Sequence, residues 1–548
     1  MSFYSEVENL TLELVQIPSI NNTPGEKHLA DKVLSYFQDM PYFQNNPHLL
    51  FEKELRDDRF GRKNVFALLE GRASKGSKKT VILHGHLDTV GIEDYGELMD
   101  YAFNPKALAN KLKEFPLPEE AREDLESGEW MFGRGSSDMK SGLASHMTIV
   151  KYYSENIEQL AGNLLFMANP IEENQHTGIM EALSVLEYLQ EKKGLQYQVA
   201  INSDFISGLY PGDTAKYIYL GAVGKLLPTF YIVGKETHAG QCFEGFDPNL
   251  LASELVKKIS ANSTLCDGYG GEYTLPPVSL KLTDTKQSYN VQTPTATYLY
   301  FNLFTHARTS GQVIELLEEM ALEAFHDVTG YLNEQYKNYC RKAGMAWKPL
   351  SWKPKVYKYE ELYRIAVEKR GGKLVRALKS LAEEEMKRNQ DTRIICRKIV
   401  EKVIESSDIR VPAIILFLSP PYNPNNTLKK EVAEEKQAID RVNKVLEEMR
   451  QTSKEDFIIK HYFPYTSDSS YLKIDDNEES LENLIKNFPG WHTVYPVPVE
   501  KIKKINIPAI NIGAYGKDAH KWTERVHKPY SFSLLPELTI KAVKAFLT

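Results

Sequence analysis

The stretch Thr80-Val81-Ile82-Leu83-His84-Gly85-His86-Leu87-Asp88-Thr89-Val90 sets a His-x-Asp directly after an apolar, β-branched run. Residues two apart in an extended segment point the same way, so Asp88 can reach the ring of His86. A carboxylate on one imidazole nitrogen fixes the tautomer and aims the other nitrogen at a metal. Four further segments carry matching chemistry: Asp138 in a glycine-rich loop, the pair Glu172-Glu173, Asp204, and the late His520. Two imidazoles with several carboxylates suit a borderline divalent cation such as zinc, cobalt or manganese. Each has an ordinary explanation when taken alone: a loop histidine, an Asp capping a helix, a solvated acidic pair. Their positions in the chain decide against those explanations.

Three consecutive apolar runs end in these residues. Thr80 to Leu83 leads to His86, Asn163 to Ala168 leads through Pro170-Ile171 to the glutamates, and Tyr197 to Ile201 leads to Asp204. Short apolar runs bounded by turn residues read as buried strands, and parallel α/β sheets hold their sites beyond the carboxyl ends of such strands. Ile507 to Ile512 is a fourth run of this kind, followed by Gly513 and then His520. Phe132-Gly133-Arg134-Gly135-Ser136-Ser137-Asp138-Met139-Lys140 is not a dinucleotide loop, because Asp138 stands where the third glycine belongs. It reads as a tight loop presenting Asp138 ahead of a helix over 139–153.

The remaining elements frame this core. Amphipathic helices are predicted over 3–17 and from Pro24-Gly25-Glu26 onward, and 91–129 is charged and Pro-dotted, reading as a surface excursion. The expected architecture is an α/β catalytic domain, a mostly parallel sheet sandwiched by helices. It is formed by 1–215 with 425–548 and interrupted by an α+β unit over 216–424. Strands at 226–233, 278–282, 297–304 and 411–418, a helix from Asp247-Pro248 to Ile259 and a long helix after Thr309 belong to the insertion. Residues 331–405 are Lys/Glu-rich and read as a mostly helical elaboration.

Composition excludes several classes. The chain has 548 residues, 42% hydrophobic and 26% charged, with a net charge of -7, which lacks the basic excess of a nucleic-acid binder and gives no pull toward anionic membranes. Apolar runs such as Ala413 to Leu418 are too short to span a bilayer, and the start Met1-Ser2-Phe3-Tyr4-Ser5-Glu6 carries no secretory pattern. Four scattered cysteines suggest a reducing compartment, so the cytoplasm is the expected location.

Gly85-His86-Leu87-Asp88, the Gly133 to Lys140 loop, Glu172-Glu173, Asp204, Thr237-His238-Ala239-Gly240 and His520 occur in an order that resembles the M20 family of dinuclear metallohydrolases. The long inserted unit is most similar to the arginine-utilisation branch. The resemblance implies two divalent ions, zinc in the first instance, with Asp138 bridging them. His86 and Asp204 would complete one site, Glu173 and His520 the other, and Asp88 would orient His86. Glu172 is implied as general base toward a metal-activated water in the cleavage of a small peptide or N-acyl amino acid. His238 would reach the active site across a homodimer formed by the inserted unit and stabilise the oxyanion, and Asn290 would contact substrate. The chain departs from the pattern at two places. The Asp-x-Arg usual after the lid asparagine is replaced by Phe301-Asn302-Leu303-Phe304, with Arg308 the nearest arginine, and Asn174-Gln175-His176-Thr177-Gly178 stands where small residues are commoner. A metal-binding or regulatory protein that retains the fold without catalysis is the competing reading, which a retained Glu172 disfavours.

Overall fold

The computed structural model describes residues 3–548; Met1 and Ser2, part of the start read for a leader, lie outside the described residues. The chain divides into two compact units: residues up to Val223 with Pro424–Ile474 and Pro498–Thr548, and Gly224–Asn423 with Asp475–Val497. The sequence pattern places the boundary at 215/216 and assigns all of 425–548 to the first unit. Lys216–Tyr219 instead pairs within the first unit's sheet. The 475–497 segment packs in the second unit, where Ser310 Oγ donates to Asp476 Oδ2 at 2.7 Å and the Leu418 N–H donates to the Asn487 carbonyl.

The first unit is built on eight strands: β1 Leu50–Glu54, β2 Lys63–Glu70, β3 Lys79–His86, β4 Asn163–Asn169, β5 Gln196–Asn202, β6 Lys216–Tyr219, β7 Phe457–Lys460 and β8 Ala509–Ile512. They lie in the order β1-β2-β4-β3-β5-β8-β6-β7. The pairs β4–β3, β3–β5, β5–β8 and β7–β6 are parallel, whereas β1–β2, β2–β4 and β8–β6 are antiparallel. β3 and β4 are buried along nearly their whole length, as central strands covered on both faces must be, which is why they read as continuous apolar runs. The register sets His86 beside Asn169 and His84 beside Asn202, so three neighbouring strands end at one edge.

Helix Ser141–Glu155 follows the Asp138 loop and is buried through most of its first ten residues. A Cβ at Gly142 would collide with the Ser203 carbonyl, and one at Gly513 with the Asp204 carbonyl. Both glycines are therefore needed for the close approach that seats the end of β5. The 91–129 excursion is more ordered than its charge suggests. Helices Pro105–Leu112 and Glu119–Ser127 enclose a small core of Tyr95, Leu98, Ala102, Leu108, Leu112 and Phe132. Its apolar residues are isolated between charges, so no window of sequence looked hydrophobic.

The second unit is an antiparallel sheet in the order Val278–Asp284, Ala296–Thr305, Pro228–Val233, Ala413–Leu418, with Val356–Lys358 added in parallel. Helices Pro248–Ile259 and Ser310–Ala343 pack on each other and on this sheet. Asp247 caps the first by accepting the Asn249 N–H, and Thr309 with Gln312 forms a capping box on the second. Helices Tyr359–Arg370, Gly372–Lys387 and Thr392–Ser407 make up the elaboration expected near 331–405.

Candidate metal centre

Asp138 is the hub of the site. Its Oδ1 lies 3.0 Å from His86 Nε2 and its Oδ2 3.0 Å from His520 Nε2, while His520 Nε2 is also 3.1 Å from Glu173 Oε1. Ligand-type atoms of His86, Asp138 and Glu173 all fall within 4.8 Å of one another. The following helix starts only at Ser141, so Asp138 is not acting as a helix cap. Asp204 is buried nearby; burial and then the charge of Asp138 raise its pKa well above the usual carboxylate range.

Buried partners hold His86, the glutamate pair and the Asp138 loop in place. His86 Nδ1 donates to the backbone carbonyl of Asp88 at 3.0 Å, whereas the Asp88 carboxylate is 3.7 Å away. A carbonyl only accepts, so Nδ1 carries a hydrogen and Nε2 is the nitrogen that faces Asp138. The expected carboxylate–imidazole contact is thus displaced, because β3 ends at His86 and strand alternation no longer governs Asp88. The Asp88 carboxylate instead accepts the N–H groups of Glu172 and Glu173, both at 3.0 Å, and Asn21 Nδ2 at 2.7 Å. It thereby fixes the backbone from which both glutamates project.

Glu524 does the same for the Asp138 loop. Its Oε1 accepts the N–H groups of Ser137 and Asp138 at 3.1 and 3.2 Å, and its Oε2 receives Arg134 Nη1 at 2.7 Å. Arg134 also donates to the Gly91 carbonyl and to Asp94, and both members of the pair are fully buried. The sequence reading gave neither residue a role, and no local spacing links two positions so far apart in the chain.

The electrostatics are those of a carboxylate cage. His520 is pushed up to about 11: burial opposes its charge, but hydrogen bonds to Asp138 and Glu173 outweigh that. Glu172, Glu173 and Asp204 are all raised, by burial first and then by their acidic neighbours, with His86 opposing. Asp138 is lowered in spite of its burial, because His520 and His86 both hydrogen-bond to it. So much negative charge converging with two imidazoles is a donor set that fits a divalent cation.

In the second unit, segments 237–239 and 291–293 run side by side. The Thr293 N–H donates to the Thr237 carbonyl and the Ala239 N–H to the Val291 carbonyl, each at 2.9 Å. His238 therefore pairs with Gln292, and both His238 and Asn290 are exposed. Arg308 donates through Nη1 to the Leu265 carbonyl at 2.8 Å, so it serves its own unit's packing.

Carboxylates and imidazoles gathered at the carboxyl ends of parallel strands define a metallohydrolase. The chain belongs to the peptidase family M20/M25/M40, whose model matches residues 82–478. It is 42% identical to the protein RocB of Bacillus subtilis (strain 168) over 97% of this chain and 93% of that protein. It is 32% identical to YqjN of the same organism over 99% and 96%. The solved structure of the aminopeptidase PepT from Bacillus cereus ATCC 10987 shares the fold, with a TM-score of 0.53 at 12% identity over 100% of this chain and 99% of that one. The protein is thus a metal-dependent enzyme of the peptidase and amidohydrolase class.

Proposed function

We propose that the protein hydrolyses the amide bond of a small peptide or N-acyl amino acid, using two divalent ions and Glu172 as general base. The observation that carries this is the Asp138 carboxylate, which turns one oxygen to His86 and the other to His520. His86 and Asp204 would hold one ion, Glu173 and His520 the other, with Asp138 common to both. When bound, such ions lower the pKa of water and offset the charge that develops on the carbonyl oxygen. Zinc suits the donors first, with cobalt and manganese as alternatives.

Glu172 takes the proton from the attacking water and returns it to the leaving amine. Its buried carboxyl has a pKa well above the usual range, driven by desolvation and by Glu173, Asp468 and Asp204 against the pull of His86. A carboxylate of raised pKa is the stronger base, which supports this role. Metal analysis tests the site: about two ions per chain are expected after loading with zinc, cobalt or manganese, lost together with activity on chelation. A protein that binds no metal under these conditions would overturn the reading.

His238 would act from the inserted unit of a second copy. Its Nδ1 accepts the Gly240 N–H at 3.0 Å, so the neutral ring carries its hydrogen on Nε2, as an oxyanion donor requires. The edge strand Val278–Asp284 exposes Val278, Leu280 and Leu282, an apolar stripe that a second copy would cover. Asn290 would contact substrate. Mixing His238→Ala and Glu172→Gln chains, each inactive alone, should restore part of the activity; no recovery would confine His238 to its own chain or to no role. Arginine-related amides are the first substrates to try, given the resemblance to the arginine-utilisation branch. The four free cysteines fit a cytoplasmic protein.

A further inference from the structure

The loop after the glutamate pair carries His176, and the fold gives that histidine a buried partner 292 residues away. His176 Nδ1 is 3.0 Å from Asp468 Oδ1, and Asp468 Oδ2 accepts Asn169 Nδ2 at 3.2 Å. Both His176 and Asp468 are buried, at 3% and 2% exposure. His176 adopts a left-handed backbone, φ 56°, and its N–H closes the loop on the Ile171 carbonyl at 2.9 Å. Glycine meets that conformation with less strain, so histidine occupies the position at a cost.

The same ring nitrogen also approaches Glu172. Its Oε1 is 4.0 Å from His176 Nδ1 and, among the described residues, has no hydrogen-bond partner although it is buried. Orphaned buried carboxylate oxygens are costly and rare in folded proteins. At 4.0 Å the ring acts on this oxygen through its dipole and by filling the space beside it, its Nδ1 hydrogen being committed to Asp468.

We propose that His176, held by Asp468, is a positioning residue for Glu172. The ring, anchored through its Nδ1–H on Asp468, lies 4.0 Å from Glu172 Oε1 and limits the orientations of that carboxylate, so that its other oxygen is kept where it takes up and returns a proton. The inference rests on Glu172 being the general base. Asp468 supplies the anchor that keeps the ring from turning away, as carboxylates do for histidines in many sites. Asparagine at 176 would keep an N–H near the Nδ1 position and tolerates the left-handed backbone, so it is the conservative variant.

The test uses the zinc-loaded full-length chain and whichever N-acyl amino acid or dipeptide the parent protein turns over fastest. His176→Ala and Asp468→Asn should each lower kcat by about 10- to 100-fold, the usual scale for removing an orienting partner. KM should stay within about twofold, because substrate binding is not altered. Zinc content should be unchanged, His176→Asn should recover most of the rate, and a crystal structure of His176→Ala should have the Glu172 carboxylate rotated. An unchanged kcat in Asp468→Asn or His176→Ala would overturn the proposal, as would a fall in kcat matched by loss of zinc or not relieved by asparagine. Glu172→Gln, measured alongside, separates the two levels. If it stays active, the base assignment fails; if it is inactive while His176→Ala is normal, only the positioning role fails.

Discussion

Glu172→Gln should leave a folded protein that keeps its metal and hydrolyses amides more slowly by on the order of 10³- to 10⁴-fold, at the upper end of what a general base contributes. Glutamine preserves the shape of the side chain and cannot take a proton. The substitution leaves the backbone anchor intact, since Asp88 accepts the N–H of residue 172 and not its side chain. It also spares Glu173, which faces His520. The loss therefore falls in kcat, with metal content and substrate affinity close to those of the parent. Normal turnover by this variant would remove Glu172 from the mechanism.

Asp138→Ala should be more severe, because both of the proposed ion sites draw on that carboxylate. Removing it leaves His86 and His520 facing a gap between them and takes away a group held ionised by both. Zinc content should fall from about two ions to below one per chain, and activity should be lost. A ligand that binds only the folded state raises its stability by mass action, so the melting temperature of the parent protein should rise with added zinc while that of Asp138→Ala should not. Calorimetry or thermal fluorescence with and without zinc reads this directly. A variant that still binds two ions would show that the sites do not share Asp138.

What the sequence disclosed, and what it hid, follows from how local each feature is. His86, the Glu172-Glu173 pair and Asp204 were legible because each follows a buried strand whose composition marks it, and parallel strands deliver their ends to one edge. Asp138 stood out through the glycines that shape its loop. Asp88 was recognised as a support, but its geometry was not: the strand ends two residues earlier, and its carboxylate serves the glutamate backbone. The Arg134–Glu524 and His176–Asp468 pairs were invisible as pairs, because each is joined only by the tertiary fold. The same holds for 475–497, whose helix Glu478–Lys486 looks like a continuation of the first unit until Ser310 captures Asp476 and the Ser480 carbonyl. The small core of 93–132 was hidden for a different reason, its apolar residues being dispersed among charges.

The central claim, that this carboxylate cage with Glu172 cleaves an amide, is tested most directly by mass-spectrometric detection of amine release. The panel would be dipeptides and N-acyl amino acids, arginine derivatives included, with the zinc-, cobalt- or manganese-loaded protein and Glu172→Gln side by side. Metal-dependent cleavage by the parent protein, slowed by on the order of 10³- to 10⁴-fold in the variant, is the predicted result. Equal cleavage by both, or no cleavage of any member by a protein that carries its two ions, would contradict it.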